Sequence, residues 1–250
     1  MDQTLLTLLR RVDTPTVLNA IEVVQGKRGF KGFTRGTMVA SAPQAPAMVG
    51  YAVTAQIAGL APPTEPVPVI RARRMAYYKA MFDAPKPSIA VIEDVDYPHC
   101  VAAYWGEVNT TVHKSFGMSG ALTNGVVRDL GDLPDGFPVL AGSIGPSHGF
   151  AHVRSLGEVV HVMGLAIAQG DLIHADRHGA VVIPPEVVPN LGQAIAKLQS
   201  TEKIVLDPAR NGFADFASFE AAWAAFRNIF GALCLLYGGF RLYRGIQQTY

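Results

Sequence analysis

The sequence predicts an α/β protein in which layered β structure is flanked by helices. Short apolar runs rich in Val, Ile and Tyr recur along the chain, and the clearest lie at residues 48–59 and 87–96. Helical patterns, with apolar residues three and four positions apart, occur before, between and after these runs. Glycine and proline residues separate many of the segments. Elements of both kinds in this order favour a single layered α/β domain.

Length and composition favour one domain with a small-molecule partner. The 250 residues are enough for one substantial core. Lys and Arg total 21 and Asp and Glu total 20, a formal charge of +1, so neither nucleic acid nor an acidic membrane surface is indicated as a partner. Hydrophobic residues make up 49% of the chain and charged residues only 16%. Because so apolar a surface is often buried between subunits, we expect an oligomer.

The cysteines and the N-terminus point to a reducing compartment. Cys100 and Cys234 lack the spacing of a zinc ribbon or a disulfide framework, so we expect two free thiols. The first residues contain an acid at position 2 and no basic segment, which makes a poor signal peptide. No apolar run reaches the roughly 18 residues that cross a bilayer. We therefore expect a cytoplasmic protein with no membrane partner.

The first part of the chain is expected to form helices, then strands. In order, we predict helices at residues 5–12 and from Thr14-Pro15, a strand at 48–59, a loop with four prolines at 60–69, a helix at 70–84 and a strand at 87–96. That last strand ends among acids that include Asp94. In open α/β sheets, sites lie outside the carboxyl ends of strands, so Asp94 is either a residue supporting a site or a plain turn residue.

Residues 106–129 contain the strongest functional pattern. A helix is predicted from Gly106 to a stop at Gly117, with Asn109 and Thr110 as capping side chains. The following apolar run, ALTNGVV at residues 121–127, is predicted to be one short buried strand. The strand end would deliver Arg128 and Asp129 together, which completes a βαβ-like unit.

The residue types in this unit suit recognition of an anion and a hard cation. The free N–H groups at a helix start attract a carboxylate, and Arg128 adds a planar fork that binds one bidentately. Asp129 and Glu107 are oxygen ligands of the kind that Mg²⁺ or Mn²⁺ prefers, usually with several waters retained. The alternative is that Arg128-Asp129 is an ordinary turn pair and Glu107 a first-turn acid favoured by the helix dipole.

Past Asp129 the chain is expected to return to β structure and to end in helices. The predicted elements are a strand after a Pro-Asp-Gly turn, a glycine-rich loop at 143–152, short β runs at 158–183, and helices at 184–205 and 216–230. His148 in the loop is either a substrate contact or a residue with local hydrogen bonds. For Asp176, Arg177 and His178, on a turn between strands, a structural or subunit-contact role is favoured. The tail at 231–250 is apolar and interrupted by glycines, and the sequence does not indicate a role for it.

Four stretches occur in an order that is similar to one known family. They are TPTVLNAI at 14–21, MVGYAVTAQ at 48–56, Gly106-Glu107 followed after twenty residues by Arg128-Asp129, and GDLIHADRHGAVVIP at 170–184. Together they resemble the 4-hydroxy-4-methyl-2-oxoglutarate aldolase / RraA-like family over residues 12–205. The resemblance implies one such domain across residues 1–250, in which residues 206–250 form a C-terminal helix and the unassigned tail.

The resemblance also implies a fold and a site. The fold would be of the swivelling β/β/α type, assembled as a homotrimer or homohexamer with sites near subunit boundaries. Asp129 would bind Mg²⁺ or Mn²⁺ directly, and Glu107 would hold it through water. Arg128 would bind a 2-oxo acid, while the backbone amides of the loop of Gly106, Glu107, Val108 and Asn109 would take the acid's carboxylate. Glu107 departs from the family, in which Asp is more usual.

The activity implied is that of a class II pyruvate aldolase. Such a metal-dependent lyase cleaves a 4-hydroxy-2-oxo acid by retro-aldol reaction to pyruvate and a second oxo acid, and oxaloacetate decarboxylation is an expected side activity. The alternative is a non-enzymatic RraA-like regulator that binds a ribonuclease. Such relatives typically lack the Arg-Asp pair, and its presence at Arg128-Asp129 favours the enzyme. None of the seven histidines stands out as the acceptor of a phosphoryl carrier domain.

Overall fold

The elements follow the α/β order that the sequence predicts. A computed structural model describes the backbone of residues 1–238 and the side chains of residues 1–228. The described helices are α1 (Gln3–Leu9), α2 (Thr14–Gln25), α3 (Val67–Asp83), α4 (Glu107–Ser115), α5 (Val188–Asn211) and α6 (Phe216–Gly238). The described strands are β1 (Val39–Ala40), β2 (Met48–Ala58), β3 (Ser88–Asp94), β4 (Ala121–Thr123), β5 (Val126–Val127), β6 (Val139–Ala141), β7 (Ser143–Ile144), β8 (His152–Leu156), β9 (Val160–Val162), β10 (Leu165–Ile167), β11 (Leu172–Asp176) and β12 (Gly179–Ile183).

The chain divides into two compact units. The first comprises Met1–Thr14 and Gly32–Pro184, and the second comprises Pro15–Lys31 and the residues from Pro185 onward. The first unit contains the twelve strands of the described chain with α1, α3 and α4, and the second contains α5 packed on α6. The single-domain organisation expected from the sequence stays a prediction.

A mixed eight-stranded sheet organises the first unit. Its strand order is β1-β6-β4-β3-β2-β11-β12, and β8 also pairs with β2. The central strands β2, β3, β4 and β6 are parallel, whereas β1, β8 and β11 pair antiparallel to their neighbours. Parallel strands need a crossover, and α4 provides it between β3 and β4. The predicted βαβ-like unit and the layered α/β class are confirmed.

Apolar clusters cover both faces of this sheet. One contains Trp105, Tyr77 and Phe137 with residues of α3, and the other contains Met48 and Leu122 with residues of β9 and β10. Side chains alternate along β3, so Ala90 and Ile92 enter the first cluster while their neighbours enter the second. A strand buried on both faces reads as a continuous apolar run, which is why residues 87–96 were recognisable from sequence.

The predicted single strand at residues 121–127 is wrong, because the run forms two strands in different sheets. β4 belongs to the eight-stranded sheet, and β5 pairs in parallel with β7 in a separate two-stranded sheet. Asn124 separates them by bonding across to β3. Its Oδ1 accepts from the Asp94 amide at 2.7 Å, and its Nδ2 donates to the Asp94 carbonyl at 3.1 Å. These two side-chain hydrogen bonds take the place of backbone hydrogen bonds between β4 and β3 beyond Thr123, so the chain can turn at Gly125.

Three helices extend beyond their predicted ends. α3 begins at Val67, not at residue 70, since Pro68 falls in the first turn, where its missing N–H would have had no partner. α5 continues to Asn211, and α6 continues through Gly231 to Gly238. The glycines of the tail from residue 231 onward were expected to interrupt the helix. A glycine in a helix interior costs about 1 kcal/mol but does not end the helix, so α6 continues to residue 238. The rest of that tail lies outside the described residues.

No helix in the described part of the chain is both long and apolar enough to cross a bilayer.

Cys100 is a free thiol, and burial, followed by the charge of Asp94, raises its pKa to about 12. Cys234 lies outside the residues whose side chains are described.

Candidate functional site

A parallel bridge brings the two ends of the 106–129 segment together. Trp105 pairs with Val127, and the Arg128 amide donates to the Trp105 carbonyl at 2.8 Å. The residues that follow each bridge partner, Gly106 on one side and Arg128-Asp129 on the other, therefore lie side by side. This pairing explains why a glycine-acid motif and an Arg-Asp motif twenty residues apart can form one site.

Helix α4 starts without a capping side chain of its own. Gly106 is the N-cap residue, in an extended conformation with φ of −140°, and the prediction that Asn109 and Thr110 cap the helix is wrong. Both lie inside the first turns and donate backward: Asn109 Nδ2 to the Tyr104 carbonyl at 2.7 Å and Thr110 Oγ1 to the Gly106 carbonyl at 2.8 Å. They were misassigned because polar residues that favour caps also bond to preceding carbonyls within a helix.

The carboxylate of Asp129 takes the capping position instead. The Glu107 amide donates to Asp129 Oδ2 at 3.1 Å, so one free N–H of the helix start is satisfied from outside the helix. The positive end of the helix dipole favours a negative charge there. The helix end that was expected to bind the substrate carboxylate thus holds the carboxylate of Asp129 in place.

The backbone of Asp129 lies in the left-handed region, with φ of 56°. Such a conformation costs a non-glycine residue about 1 kcal/mol, although Asp tolerates it better than most. It is held by a tight turn, in which the Asp132 amide donates to the Asp129 carbonyl at 2.9 Å. This strain coincides with the residue that the sequence nominated as the metal ligand.

Gly106 permits the close approach of the charged pair. A β-carbon at this position would clash with Asp129 Oδ2 and lie 2.8 Å from Arg128 Nε. The atoms that a β-carbon would meet belong to the side chains of Arg128 and Asp129. Glycine at position 106 therefore leaves room for both side chains beside the start of α4.

Arg128 is half-buried between two neighbours. Its Nε lies 3.5 Å from Asp129 Oδ2, and its Nη1 donates to His148 Nε2 at 2.7 Å. The buried Nε atom has no hydrogen-bond partner among the described residues. A buried donor left unpaired costs about 1–3 kcal/mol, so an acceptor from a ligand would be stabilising here.

The donors fit a lightly coordinated hard cation rather than a protein cage. Within the described chain, no three His, Cys, Asp or Glu residues form a group that could hold a metal ion. Asp129 and Glu107 offer carboxylates, and the hydrogen bonds of Asp129 given by the described residues all involve Oδ2. Mg²⁺ usually keeps several waters and takes one or two carboxylates, so this set suits it and not zinc.

The remaining predicted site residues lie on the first turn of α4. Glu107 and Val108 are exposed, and Asn109 is partly buried. The Glu107 amide is already used by Asp129, whereas the amides of Val108 and Asn109 lie in the first turn, where a helix offers no acceptor. The amides of Val108 and Asn109 are therefore open to an anion.

The sequence reasoning missed the polar contacts that fix α4. Tyr78 donates to Asn109 Oδ1 at 2.8 Å, and His113 Nδ1 lies 2.6 Å from the Asn109 carbonyl. A carbonyl only accepts, so Nδ1 carries the proton and Nε2 accepts from the Tyr77 hydroxyl at 2.6 Å. Burial lowers the pKa of His113 to about 4, so this imidazole is neutral. The spacing of Asn109 and His113, four apart on one helix face, was the available signal.

The other polar candidates make structural contacts. Asp94 is buried, its Oδ1 accepts from the Asp96 amide at 3.0 Å, and burial raises its pKa. Asp176 Oδ2 accepts from the Thr14 amide at 3.0 Å and Oδ1 from the His178 amide at 2.8 Å. Burial raises the pKa of Asp176, but these hydrogen bonds outweigh it and hold the pKa below its ordinary value. Asp176 therefore ties the turn to Thr14 and also holds His178.

A separate open cleft of about 650 Å³ lies elsewhere in the first unit. Its walls include Thr54, Ser88 and Gln169, together with the end of α3, and none of the predicted site residues contributes to it. We place the candidate site at Arg128 rather than in this cleft, because the charged groups and the unpaired donor lie there.

The layered fold and the meeting of Gly106 with Arg128 and Asp129 define a class of protein that comparison with known proteins identifies. Residues 14–182 match the RraA-like family model, described as Aldolase/RraA. The chain belongs to this family, and the resemblance found in the sequence is confirmed.

Two curated relatives are similar over about half of the chain. An uncharacterized protein of Methanocaldococcus jannaschii is 29% identical over 131 residues, which are 51% of this chain and 62% of that protein. A protein of Halalkalibacterium halodurans named as a putative 4-hydroxy-4-methyl-2-oxoglutarate aldolase is 26% identical over 143 residues, 56% of this chain and 67% of that protein. The match thus spans less than two thirds of the archaeal relative.

Solved structures share the fold at low identity. An uncharacterized protein from Pseudomonas syringae pv. tomato superposes with a TM-score of 0.67 at 21% identity, covering 90% of this chain and 94% of that one. A Streptomyces coelicolor protein, described as an unusual member of the RNase ES inhibitor RraA protein family, gives 0.59 at 21% identity, covering 81% and 94%. The predicted fold class is confirmed, and these structures carry no further argument about activity.

Proposed function

We propose that this chain is a divalent-metal-dependent lyase that cleaves a 4-hydroxy-2-oxo acid by retro-aldol reaction to pyruvate and a second oxo acid. The observation that carries the proposal is the convergence of Arg128 and Asp129 on the first turn of α4. The name of the Halalkalibacterium halodurans relative agrees with this reaction class. Oxaloacetate decarboxylation is proposed as a side activity, because it generates the same enolate of pyruvate.

The chain's own residues would bind and orient the 2-oxo acid. Arg128 offers the N–H donors of its guanidinium, among them a buried Nε that has no hydrogen-bond partner among the described residues, and it is the natural partner of an oxo-acid oxygen. The first-turn amides of Val108 and Asn109 would donate hydrogen bonds to the carboxylate at the positive end of α4. Cleavage leaves negative charge on the departing pyruvate, and the fixed charge of Arg128 would stabilise it without reorganisation.

Asp129 would anchor the cation, and Glu107 would order the water around it. When bound, Mg²⁺ or Mn²⁺ supplies Lewis-acid stabilisation of the enolate charge. Asp129 suits this role because the Glu107 amide at the start of α4 holds its carboxylate in place through Oδ2. Glu107 is exposed and one methylene longer than Asp, so it would act at a greater distance.

The decisive experiment compares Asp129→Asn with Glu107→Gln. Pyruvate release from a panel of 4-hydroxy-2-oxo acids is measured while Mg²⁺ or Mn²⁺ is titrated. Asp129→Asn keeps the size and the tolerance of a left-handed backbone but removes the charge. We therefore expect the cation to bind at least about 100-fold more weakly, and turnover to be lost. Glu107→Gln should raise the metal requirement more than it lowers the saturated rate.

Asp132→Asn is the matched control, since Asp132 is exposed three residues along the same turn. It should leave the metal titration unchanged. Wild-type metal dependence in Asp129→Asn would place the ligand elsewhere. Absence of pyruvate release from every substrate by the wild type, together with ribonuclease inhibition, would favour the alternative of a non-enzymatic regulator.

A further inference from the structure

The contact between Arg128 and His148 fixes the chemical state of the histidine. Arg128 Nη1 lies 2.7 Å from His148 Nε2. A guanidinium has five donors and no acceptor, so Nε2 must accept and the ring proton must lie on Nδ1. In this contact His148 Nε2 presents a lone pair to the guanidinium.

The loop that carries His148 is anchored to the strand that carries Arg128. β7 pairs in parallel with β5, and the Gly145 amide donates to the Val127 carbonyl at 3.1 Å. On either side of the histidine, the Ser147 carbonyl accepts from the Ala103 amide at 2.8 Å and the Phe150 amide donates to the Gly59 carbonyl at 2.8 Å. The loop therefore holds His148 in register with Arg128.

Gly149 allows the loop its path. Its φ is +50°, and a β-carbon there would lie 2.7 Å from the Gly59 carbonyl oxygen and 3.0 Å from the Ala102 side chain. The backbone next to His148 is thus packed against two other segments, although the imidazole itself is exposed. An exposed side chain on a fixed backbone can hold a partner in place and remain open to a ligand.

We propose that His148 is a positioning residue for Arg128, one that aims the guanidinium at the 2-oxo acid. His148 Nε2 accepts from Nη1 of Arg128, and the Asp129 carboxylate lies beside Nε, so the two groups restrict rotation of the guanidinium and leave its other N–H donors for the ligand. The imidazole acts through Arg128 and transfers no proton. This inference rests on the proposed function, because it assigns Arg128 to the oxo acid.

The test compares His148→Ala with His148→Gln. Glutamine reaches about as far as Nε2 and can present its amide oxygen to Arg128, but it cannot transfer a proton. Loss of one positioning hydrogen bond should raise the KM of His148→Ala for the 2-oxo acid by about 10-fold with kcat within about threefold, and His148→Gln should return KM to within about threefold of wild type.

A second measurement does not depend on turnover. Phenylglyoxal modifies arginine side chains, and the rate at Arg128 is followed by peptide mass spectrometry in the wild type and both variants. We expect modification of Arg128 to be at least about threefold faster in His148→Ala, because a released guanidinium is more accessible, and near wild type in His148→Gln. Arg177, exposed on the β11–β12 turn, serves as the internal reference.

The outcomes separate the inference from the proposed function. Unchanged KM and unchanged Arg128 modification in His148→Ala would overturn the positioning role and leave the lyase proposal intact. A large loss of kcat in both variants at constant KM would instead identify His148 as a proton-transfer group, which also overturns it. If the wild type cleaves no 4-hydroxy-2-oxo acid, the proposed function fails, and the modification rates still decide whether His148 holds Arg128.

Discussion

At the scale of single residues, Asp129 combines two constraints. Its backbone adopts a left-handed conformation, and its carboxylate satisfies the Glu107 amide at the start of α4. The first constraint directs the side chain back toward the helix, and the second holds it there. Arg128 precedes it and faces the same helix end, so a single tight turn delivers a cation and an anion to one place.

Substituting Arg128 by Lys tests whether geometry or charge matters at this turn. Lysine keeps the positive charge but presents a single ammonium in place of a fork, and it cannot reach His148, Asp129 and a ligand together. We expect kcat/KM for the 2-oxo acid to fall by about 100-fold, the usual effect of losing one charge-stabilising donor.

The control for this substitution is Arg177→Lys, on the exposed turn between β11 and β12, which should leave kcat/KM unchanged. Turnover near the wild-type value in Arg128→Lys would mean that Arg128 does not contact the substrate.

Single residues were predictable from sequence where their spacing carried the information. Gly106, Glu107, Arg128 and Asp129 were nominated together, and the structure brings them together. The contact of Arg128 with His148 was not predicted, since it depends on the pairing of β5 with β7, two strands of two residues each. Such short strands carry too little periodicity to be recognised.

At the scale of elements, polar contacts tie α4 to α3. Tyr77 and Tyr78 of α3 bond to His113 and Asn109 of α4, and both tyrosine rings pack at a tilt on the His113 ring with centroids 5.5 to 5.8 Å apart. Ring contacts of this kind add to the stability gained from burial alone. The helix end that presents Glu107 is thereby held on a rigid support.

This support should make the fold sensitive to acid. The pKa of His113 is about 4 when folded, because of burial, and about 6.5 when unfolded. Because the folded pKa lies below the unfolded value, the contribution of His113 to the free energy of unfolding is fully present above pH 6.5 and is lost as the pH falls toward 4. The full loss is about 3 kcal/mol in the free energy of unfolding. Burial lowers the pKa of His174 as well, which adds a loss in the same direction.

Urea unfolding between pH 8 and pH 4 measures this effect. His113→Gln removes the titrating group, so its stability should start lower at pH 8 but decline less steeply. His161→Gln, on an exposed position of β9, is the matched control and should reproduce the wild-type slope. An unchanged slope in His113→Gln would assign the acid sensitivity to other groups.

Elements were predicted well where they were long and poorly where tertiary contacts set their ends. β2 and β3 matched their apolar runs closely. The 121–127 run was misjudged because Asn124 bonds to the neighbouring strand, and that neighbour is not visible in local sequence. The start of α3 was missed because Pro68 was treated as a breaker rather than as a first-turn residue.

At the scale of the whole molecule, we expect subunit association close to the site. Large apolar side chains are exposed on segments that carry site residues, namely Val108 at 70%, Ile144 at 55% and Phe150 at 53%. Large apolar side chains that are exposed next to a site often belong to an interface. The homotrimer or homohexamer implied by the family resemblance stays a prediction.

Sedimentation at micromolar concentration tests the assembly. We expect a mass that is three or six times the 26.7 kDa of one chain, and activity that falls on dilution as the oligomer dissociates. Phe150→Asp should weaken the association, whereas Phe82→Asp, an exposed change on α3 outside the site segments, is the control. A monomer of 26.7 kDa with full activity would contradict this expectation.

The absence of a side chain at residue 106 has a consequence for the charged pair. Every codon change that alters this residue adds a β-carbon, and that carbon would meet Asp129 Oδ2 and Arg128 Nε. Because both atoms belong to side chains that can move, a larger residue at 106 would displace the charged pair from the start of α4. A residue without a side chain of its own thus sets where the two charges can lie.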